Sequence, residues 1–146
     1  QQMIEAHAET GGTMVATMEV PLEKTKSYGV LDVAEDMGAI VKAKGLVEKP
    51  KENPPSNLAV IGRYILTPAI FDKLRTVTPG AGGEIQLTDG IAMLMQDEAV
   101  FAKPLSGVRY DCGSKLGYLK ATVDFALRHP EVGRGFADWL ESRHAG

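Results

Sequence analysis

The chain has 146 residues, 44% of them hydrophobic, and a formal net charge of -3. That is enough for one domain burying about 70% of the surface its extended chain would expose. Lys and Arg are scattered among Asp and Glu, so there is no basic face of the kind that phosphate-mediated nucleic-acid binding needs, and no nucleic-acid partner is expected.

The single cysteine, Cys112, excludes an internal disulfide, and His7, His129 and His144 lie too far apart in sequence to form a local zinc motif with it. A reducing cytoplasm is the simplest compartment. No apolar run approaches the roughly 18 residues of a membrane span, and Gln1-Gln2-Met3-Ile4 is not a signal peptide start. No membrane partner is expected.

The chain opens on the tail of a helix, Gln1 to Glu9, running into the turn Thr10-Gly11-Gly12, and so reads as a fragment. From Thr13 to Val20 the residues Met14, Ala16, Met18 and Val20 recur at period two, which predicts a strand with one apolar face. Pro21 to Ser27 is a charged connection. Tyr28 to Val33 and Ala39 to Glu48 predict a hairpin turning at Asp36-Met37-Gly38. Lys49 to Ser56, rich in proline and charge, is a loop. Asn57 to Leu66 is apolar enough for a buried strand, and Thr67-Pro68 opens a short helix to about Leu74, with Thr67 as its cap.

Thr78 to Gly83 is a loop, after which Ile85, Ile91, Ala92, Leu94 and Met95 suggest a helix over Glu84 to Gln96. Val100 to Leu105 is a short strand. Ser114 can cap a long helix carrying Leu116, Leu119, Val123, Ala126 and Leu127 at three- and four-residue steps, and His129-Pro130 ends it. Phe136, Trp139 and Leu140 form an amphipathic C-terminal turn or helix that covers the core or meets a partner chain. The class is α/β with a mixed sheet.

Several short runs carry chemistry. Gly80-Ala81-Gly82-Gly83 invites a phosphate-loop reading, but the Gly-Lys-Ser/Thr ending is missing and Glu84 puts a negative charge where a phosphate would sit. A structural turn with an acidic helix start is favoured there. Cys112 has no histidine nearby in sequence to act as its base, which favours a packed thiol. Glu48-Lys49-Pro50 sets a carboxylate beside an ammonium at a strand end, where alternation turns them to different sides. A carboxylate accepts pairs of sugar hydroxyls and a lysine suits a phosphate, although a solvated strand end has the same composition. Asp111, between a strand and the Ser114 cap, is either a ligand group outside a strand end or a turn aspartate.

In order, Tyr28-Gly29-Val30, Val47-Glu48-Lys49-Pro50, Ile61-Gly62-Arg63-Tyr64-Ile65-Leu66, Gly83-Glu84-Ile85-Gln86-Leu87-Thr88-Asp89 and Arg109-Tyr110-Asp111-Cys112-Gly113-Ser114-Lys115-Leu116-Gly117-Tyr118 closely resemble the C-terminal half of bacterial UTP–glucose-1-phosphate uridylyltransferases. The resemblance covers nearly the whole chain. It implies a Rossmann-like mixed-sheet nucleotidyltransferase fold, residues 1–146 being the C-terminal portion of one such domain on its sugar-phosphate and metal side. It also implies the reaction of UTP with glucose 1-phosphate to UDP-glucose and pyrophosphate.

Position by position, the resemblance implies that Gly29 and Glu48 contact glucose hydroxyls, Lys49 the phosphate, Gly62 the sugar through its backbone, and Asp111 a magnesium ion. Lys49 and Asp111 are then the catalytic pair. It implies a homo-oligomer as well. The family's Gly-rich, Gly-Thr-Arg and Pro-x-Thr-Lys nucleotide segment is absent from these residues, as is its first metal-binding aspartate, so this chain is expected to be inactive alone. The alternatives are a pyrophosphorylase with another base or sugar and a non-catalytic oligomerisation or regulatory module. The latter has no physical need of Glu48, Lys49 and Asp111 together.

Overall fold

The computed structural model describes residues 1–80 and 83–144. They form two compact units, one up to Ser106 and one from Gly107 onward. The first begins with α1 (Gln2–Thr10) and β1 (Thr13–Glu19), then a 3-10 turn (Leu22–Ser27) that gives the charged connection a regular form. It continues through β2 (Gly29–Asp36), β3 (Val41–Glu48), β4 (Leu58–Ile65), α2 (Ile70–Leu74), α3 (Leu87–Leu94) and β5 (Val100–Pro104).

The sheet is mixed, as expected, with strand order β1-β4-β2-β3-β5, and it closes on itself. β1 runs antiparallel to β4 and parallel to β5, which also pairs with β3 through Val41 and Lys42. β1 is covered on both faces, Val15 packing in the cluster with Ile70, Ile91 and Leu94 and Met14 packing against Ala6 of α1, and every residue from Thr13 to Thr17 is buried. The one-sided pattern predicted for β1 is therefore corrected: Thr13 and Thr17 are as inaccessible as Met14 and Ala16. Such double coverage hides the period-two signal.

The β2–β3 hairpin turns where expected, with Asp36 paired to Val41. The Asp36 carboxylate accepts a hydrogen bond from the Gly38 amide at 2.8 Å, and Gly38 takes φ +84, which glycine adopts freely. β2 runs three residues beyond the predicted Val33 because turn and register extend the ladder.

The core joins Val15, Leu31 and Leu46 of the sheet to Ile70, Ile91 and Leu94 of the two helices laid over it. A methyl at Gly90 would stand 2.7 Å from Leu74 Cδ2, so α2 and α3 approach as closely as they do only because this position is glycine. α2 starts at Ile70, not at Thr67-Pro68. The Thr67 hydroxyl caps no helix; it donates to the Glu98 carboxylate at 3.0 and 3.1 Å, beside Thr13, which donates to the same group at 2.7 Å. α3 starts at Leu87, so its first-turn acid is Asp89, not Glu84. Ala81 and Gly82 of the glycine-rich run lie outside the described residues.

The second unit contains α4 (Lys115–Arg128) and α5 (Gly133–His144). Ser114 caps α4 as predicted, its Oγ accepting from the Gly117 amide at 3.1 Å. His129, held extended at φ −70 and ψ 130 before Pro130, ends the helix. In α5, Phe136 and Trp139 stack at 5.5 Å between ring centroids. Among the described residues no helix is long and apolar enough to cross a membrane.

Candidate functional site

A polar cluster of the first unit stands where β2 begins and β3 ends. The ladder puts Gly29 directly opposite Glu48. The Glu48 side chain is only 21% exposed, and its Oε2 accepts a hydrogen bond from the Thr88 hydroxyl at 2.7 Å. Thr88 belongs to the first turn of α3, one turn before the buried Ile91. A methyl at Gly29 would lie 3.1 Å from Glu48 Oε2 and 3.4 Å from Thr88 Cγ2, so the missing side chain gives the carboxylate its space. Tyr64 of β4 shares this environment: burial first, then the negative charge of Glu48, raises its phenol above the ordinary tyrosine value.

Lys49 departs from the expectation that it and Glu48 face different sides. It is one of two described non-glycine residues with positive φ, at 46°. That left-handed turn ends the pleat at Glu48 and brings Lys49 Nζ to 3.6 Å from Glu48 Oε1. The Lys49 amide donates to Tyr28 O at 2.9 Å, which holds the turn against β2. A left-handed lysine costs about 1–2 kcal/mol, and such strain concentrates where a backbone is shaped for a ligand. One carboxylate oxygen is thus tied to α3 and the other faces an ammonium.

Gly62 stands at a bulge of β4. Val15 pairs with Tyr64 and Thr17 with Val60, so three β4 residues face one of β1, and Gly62 takes φ +74. No heavy atom lies within 4 Å of where its Cβ would be, so glycine serves conformation rather than space. The bulge frees backbone polar groups from the ladder.

Asp111 belongs to the second unit and follows irregular chain, not the strand end expected. β5 stops at Pro104, because Gly107 at φ +126 and exposed Val108 do not continue it. Asp111 Oδ1 accepts from the Gly113 amide at 3.2 Å, and its carbonyl accepts from Ser114 Oγ at 3.0 Å. The carboxylate is exposed, with room for a further partner. Among the described residues no group of three or more His, Cys, Asp and Glu is placed to hold a metal ion. Magnesium, which usually takes one or two protein carboxylates and completes its shell with water and phosphate oxygens, is compatible with one aspartate from this chain.

Close by, Tyr110 donates to Asp124 and accepts from Arg128 Nη2 at 3.0 Å. Its phenol is raised chiefly by the bond to Asp124. Cys112 is exposed in the turn after Asp111, which corrects the expectation of a packed thiol: its turn position keeps it off the core. His7 and His129 lie at helix ends, as expected, and the His144 side chain is outside the described residues.

Thr88 and Tyr64 lie inside the runs that carry the family resemblance, but the resemblance gives neither a role. Thr88 was accessible to reasoning, since it precedes Ile91 by three residues and so shares the helix face turned to the sheet.

Residues 1–127 match the nucleotidyl transferase family model. The chain belongs to the nucleotidyl transferase family. This nucleotidyl transferase chain is 44% identical over 142 residues to a UTP–glucose-1-phosphate uridylyltransferase of Staphylococcus epidermidis, covering 97% of this chain and 49% of that protein. It is 43% identical to one from Streptococcus pyogenes, with 96% and 47% covered. A crystal structure of UDP-glucose pyrophosphorylase complexed with UDP-glucose superposes with a TM-score of 0.81 at 40% identity, over 88% of this chain and 49% of that one. A UTP-bound enzyme of this name from Acinetobacter baumannii gives 0.82 at 39%, over 95% and 48%. The chain spans about half the length of the curated relatives it matches. The Rossmann-like mixed α/β fold expected from the resemblance agrees with these neighbours.

Proposed function

We propose that these 146 residues are the C-terminal portion of a single nucleotidyltransferase domain, supplying the sugar-phosphate side of a UTP–glucose-1-phosphate uridylyltransferase. The observation that carries this reading is the juxtaposition of Gly29, Glu48 and Lys49 in a member of this family. Glu48 accepts hydroxyl groups of glucose, Gly29 leaves them room, and Lys49 places its ammonium on the phosphate. Gly62 offers backbone polar groups at its bulge. Asp111 is the carboxylate this half would lend to magnesium, which when bound neutralises charge on the phosphates.

In the transfer, a phosphate oxygen of glucose 1-phosphate attacks the α-phosphorus of UTP and the bond to pyrophosphate breaks. The protein needs to align nucleophile and leaving group and to balance charge. Glu48 and Gly29 orient the sugar, and Lys49 holds its phosphate in line. The base is read by the complementary half, so another base or sugar is the nearest competing reading. A homo-oligomer in a reducing cytoplasm belongs to the same proposal.

The test is a chimera of these residues behind the nucleotide half of the Staphylococcus epidermidis relative. It is expected to release pyrophosphate from UTP with glucose 1-phosphate, and Lys49→Ala should abolish most of that release. A folded, active chimera indifferent to Lys49→Ala would remove the lysine from the site.

A further inference from the structure

We infer that Thr88 is a positioning residue for the Glu48 carboxylate, its α3 hydroxyl clamping Oε2 against Gly29 so that the rest of the carboxylate is presented to a ligand's hydroxyl pair. The inference rests on the proposed sugar-binding role of Glu48 and adds the residue on which that role depends.

Three elements converge on one oxygen. Thr88 donates to Glu48 Oε2 at 2.7 Å, and a methyl on Gly29 would come within 3.1 Å of that oxygen and 3.5 Å of the Thr88 hydroxyl. A threonine inside a helix can donate to the carbonyl four residues back, as Thr122 does in α4, where its hydroxyl donates to Tyr118 O at 2.9 Å; Thr88, the second residue of α3, has no such carbonyl within its own helix. Thr88 instead sends its hydroxyl to a residue 40 positions away. The N-cap of α3, Gln86, makes no side-chain cap hydrogen bond.

A glutamate side chain has several rotatable bonds, and one hydrogen bond at its tip selects among their rotamers. An ionised carboxylate has about four acceptor positions. Thr88 occupies one, and Lys49, 3.6 Å from Oε1, draws on the other oxygen. Roughly two acceptor positions are left, one per oxygen, which is what adjacent sugar hydroxyls require. Without the Thr88 hydroxyl the carboxylate is free to rotate toward Lys49 and lose that geometry.

The test is titration of the 146-residue chain with glucose 1-phosphate, following the amide resonances of Gly29, Glu48 and Lys49, for the unaltered chain and for Thr88→Val, Thr88→Ser, Glu48→Gln and the Glu48→Gln/Thr88→Val pair. Thr88→Val should weaken binding about tenfold, the scale of one charge-assisted hydrogen bond. Thr88→Ser keeps the hydroxyl and should stay within about twofold of the unaltered chain. In the paired variant the second substitution should add nothing, because its effect runs through Glu48.

Additive losses in the pair, or a Thr88→Val chain that binds as tightly as the unaltered one while Glu48→Gln weakens binding, overturn the positioning role and leave the sugar site standing. Unchanged binding by Glu48→Gln overturns the sugar site itself, and the inference with it. If Thr88→Val disturbs α3, as its amide spectrum would reveal, Thr88→Ala replaces it under the same criteria.

Discussion

Replacing Asp111 by asparagine separates its two roles, because the structure fixes what each predicts for stability. The carboxylate makes one local bond through Oδ1, accepting from the Gly113 amide at 3.2 Å, while the contacts to Ser114 come from the Asp111 carbonyl. Asparagine keeps an Oδ1 acceptor and the whole backbone pattern, so Asp111→Asn should stay within about 0.5 kcal/mol of the parent, as surface substitutions usually do. At this chain length that is a shift of roughly 2 °C or less in Tm. Asp111→Ala removes the acceptor and should cost about 0.5–1.5 kcal/mol. If Asp111 lends its charge to magnesium in the complete enzyme, Asp111→Asn should lower turnover by about two to three powers of ten, since each 1.36 kcal/mol is tenfold and a lost metal contact is worth several kcal/mol. Calorimetry on the 146-residue chain reads the first quantity, and initial rates over a magnesium series on the chimera carrying each variant read the second. Near-parental turnover of Asp111→Asn at limiting magnesium would refute the metal role and leave a turn aspartate.

Other outcomes follow from the same geometry. Gly62→Ala must place a side chain at φ +74 and should destabilise the chain by about 1–2 kcal/mol, although no atom obstructs the methyl; a neutral melting curve would show that β4 relaxes there. Gly90→Ala meets Leu74 Cδ2 at 2.7 Å and should cost about 1–3 kcal/mol by overpacking, with Gly90→Ala/Leu74→Ala losing less than the sum of the two single variants in a denaturant titration. Tyr64 has its phenol raised by burial and then by Glu48, so the stability it contributes is present below the ordinary tyrosine value and is lost as pH rises past it. Tyr64→Phe should flatten that alkaline fall, and a fall of unchanged steepness would reassign it.

Much of the architecture was legible because its signals are local. The Ser114 cap, the His129-Pro130 stop and the Asp36-Met37-Gly38 turn are decided within a few residues, and the structure has each of them. What escaped depends on partners far away in sequence. β1 lost its alternation because one face packs into the core through Val15 and the other against α1 through Met14. Thr67 left its capping position for Glu98, 31 residues on. The left-handed turn of Lys49, which folds its ammonium back to Glu48, had no glycine to announce it. Within the candidate site, the resemblance supplied Gly29, Glu48 and Lys49, whereas the Thr88 contact became visible only when α3 was laid over the end of β3.

Ligand titration of the isolated chain, followed by assay for turnover, distinguishes a chain that carries the sugar-phosphate side from one that carries the nucleotide side. Glucose 1-phosphate should shift the amides of Gly29, Glu48, Lys49 and Gly62, UTP at the same concentration should leave them in place, and no UDP-glucose should form with both substrates and magnesium present. Sustained pyrophosphate release by the pure chain, or amide shifts with UTP but none with glucose 1-phosphate, would contradict the sugar-phosphate assignment.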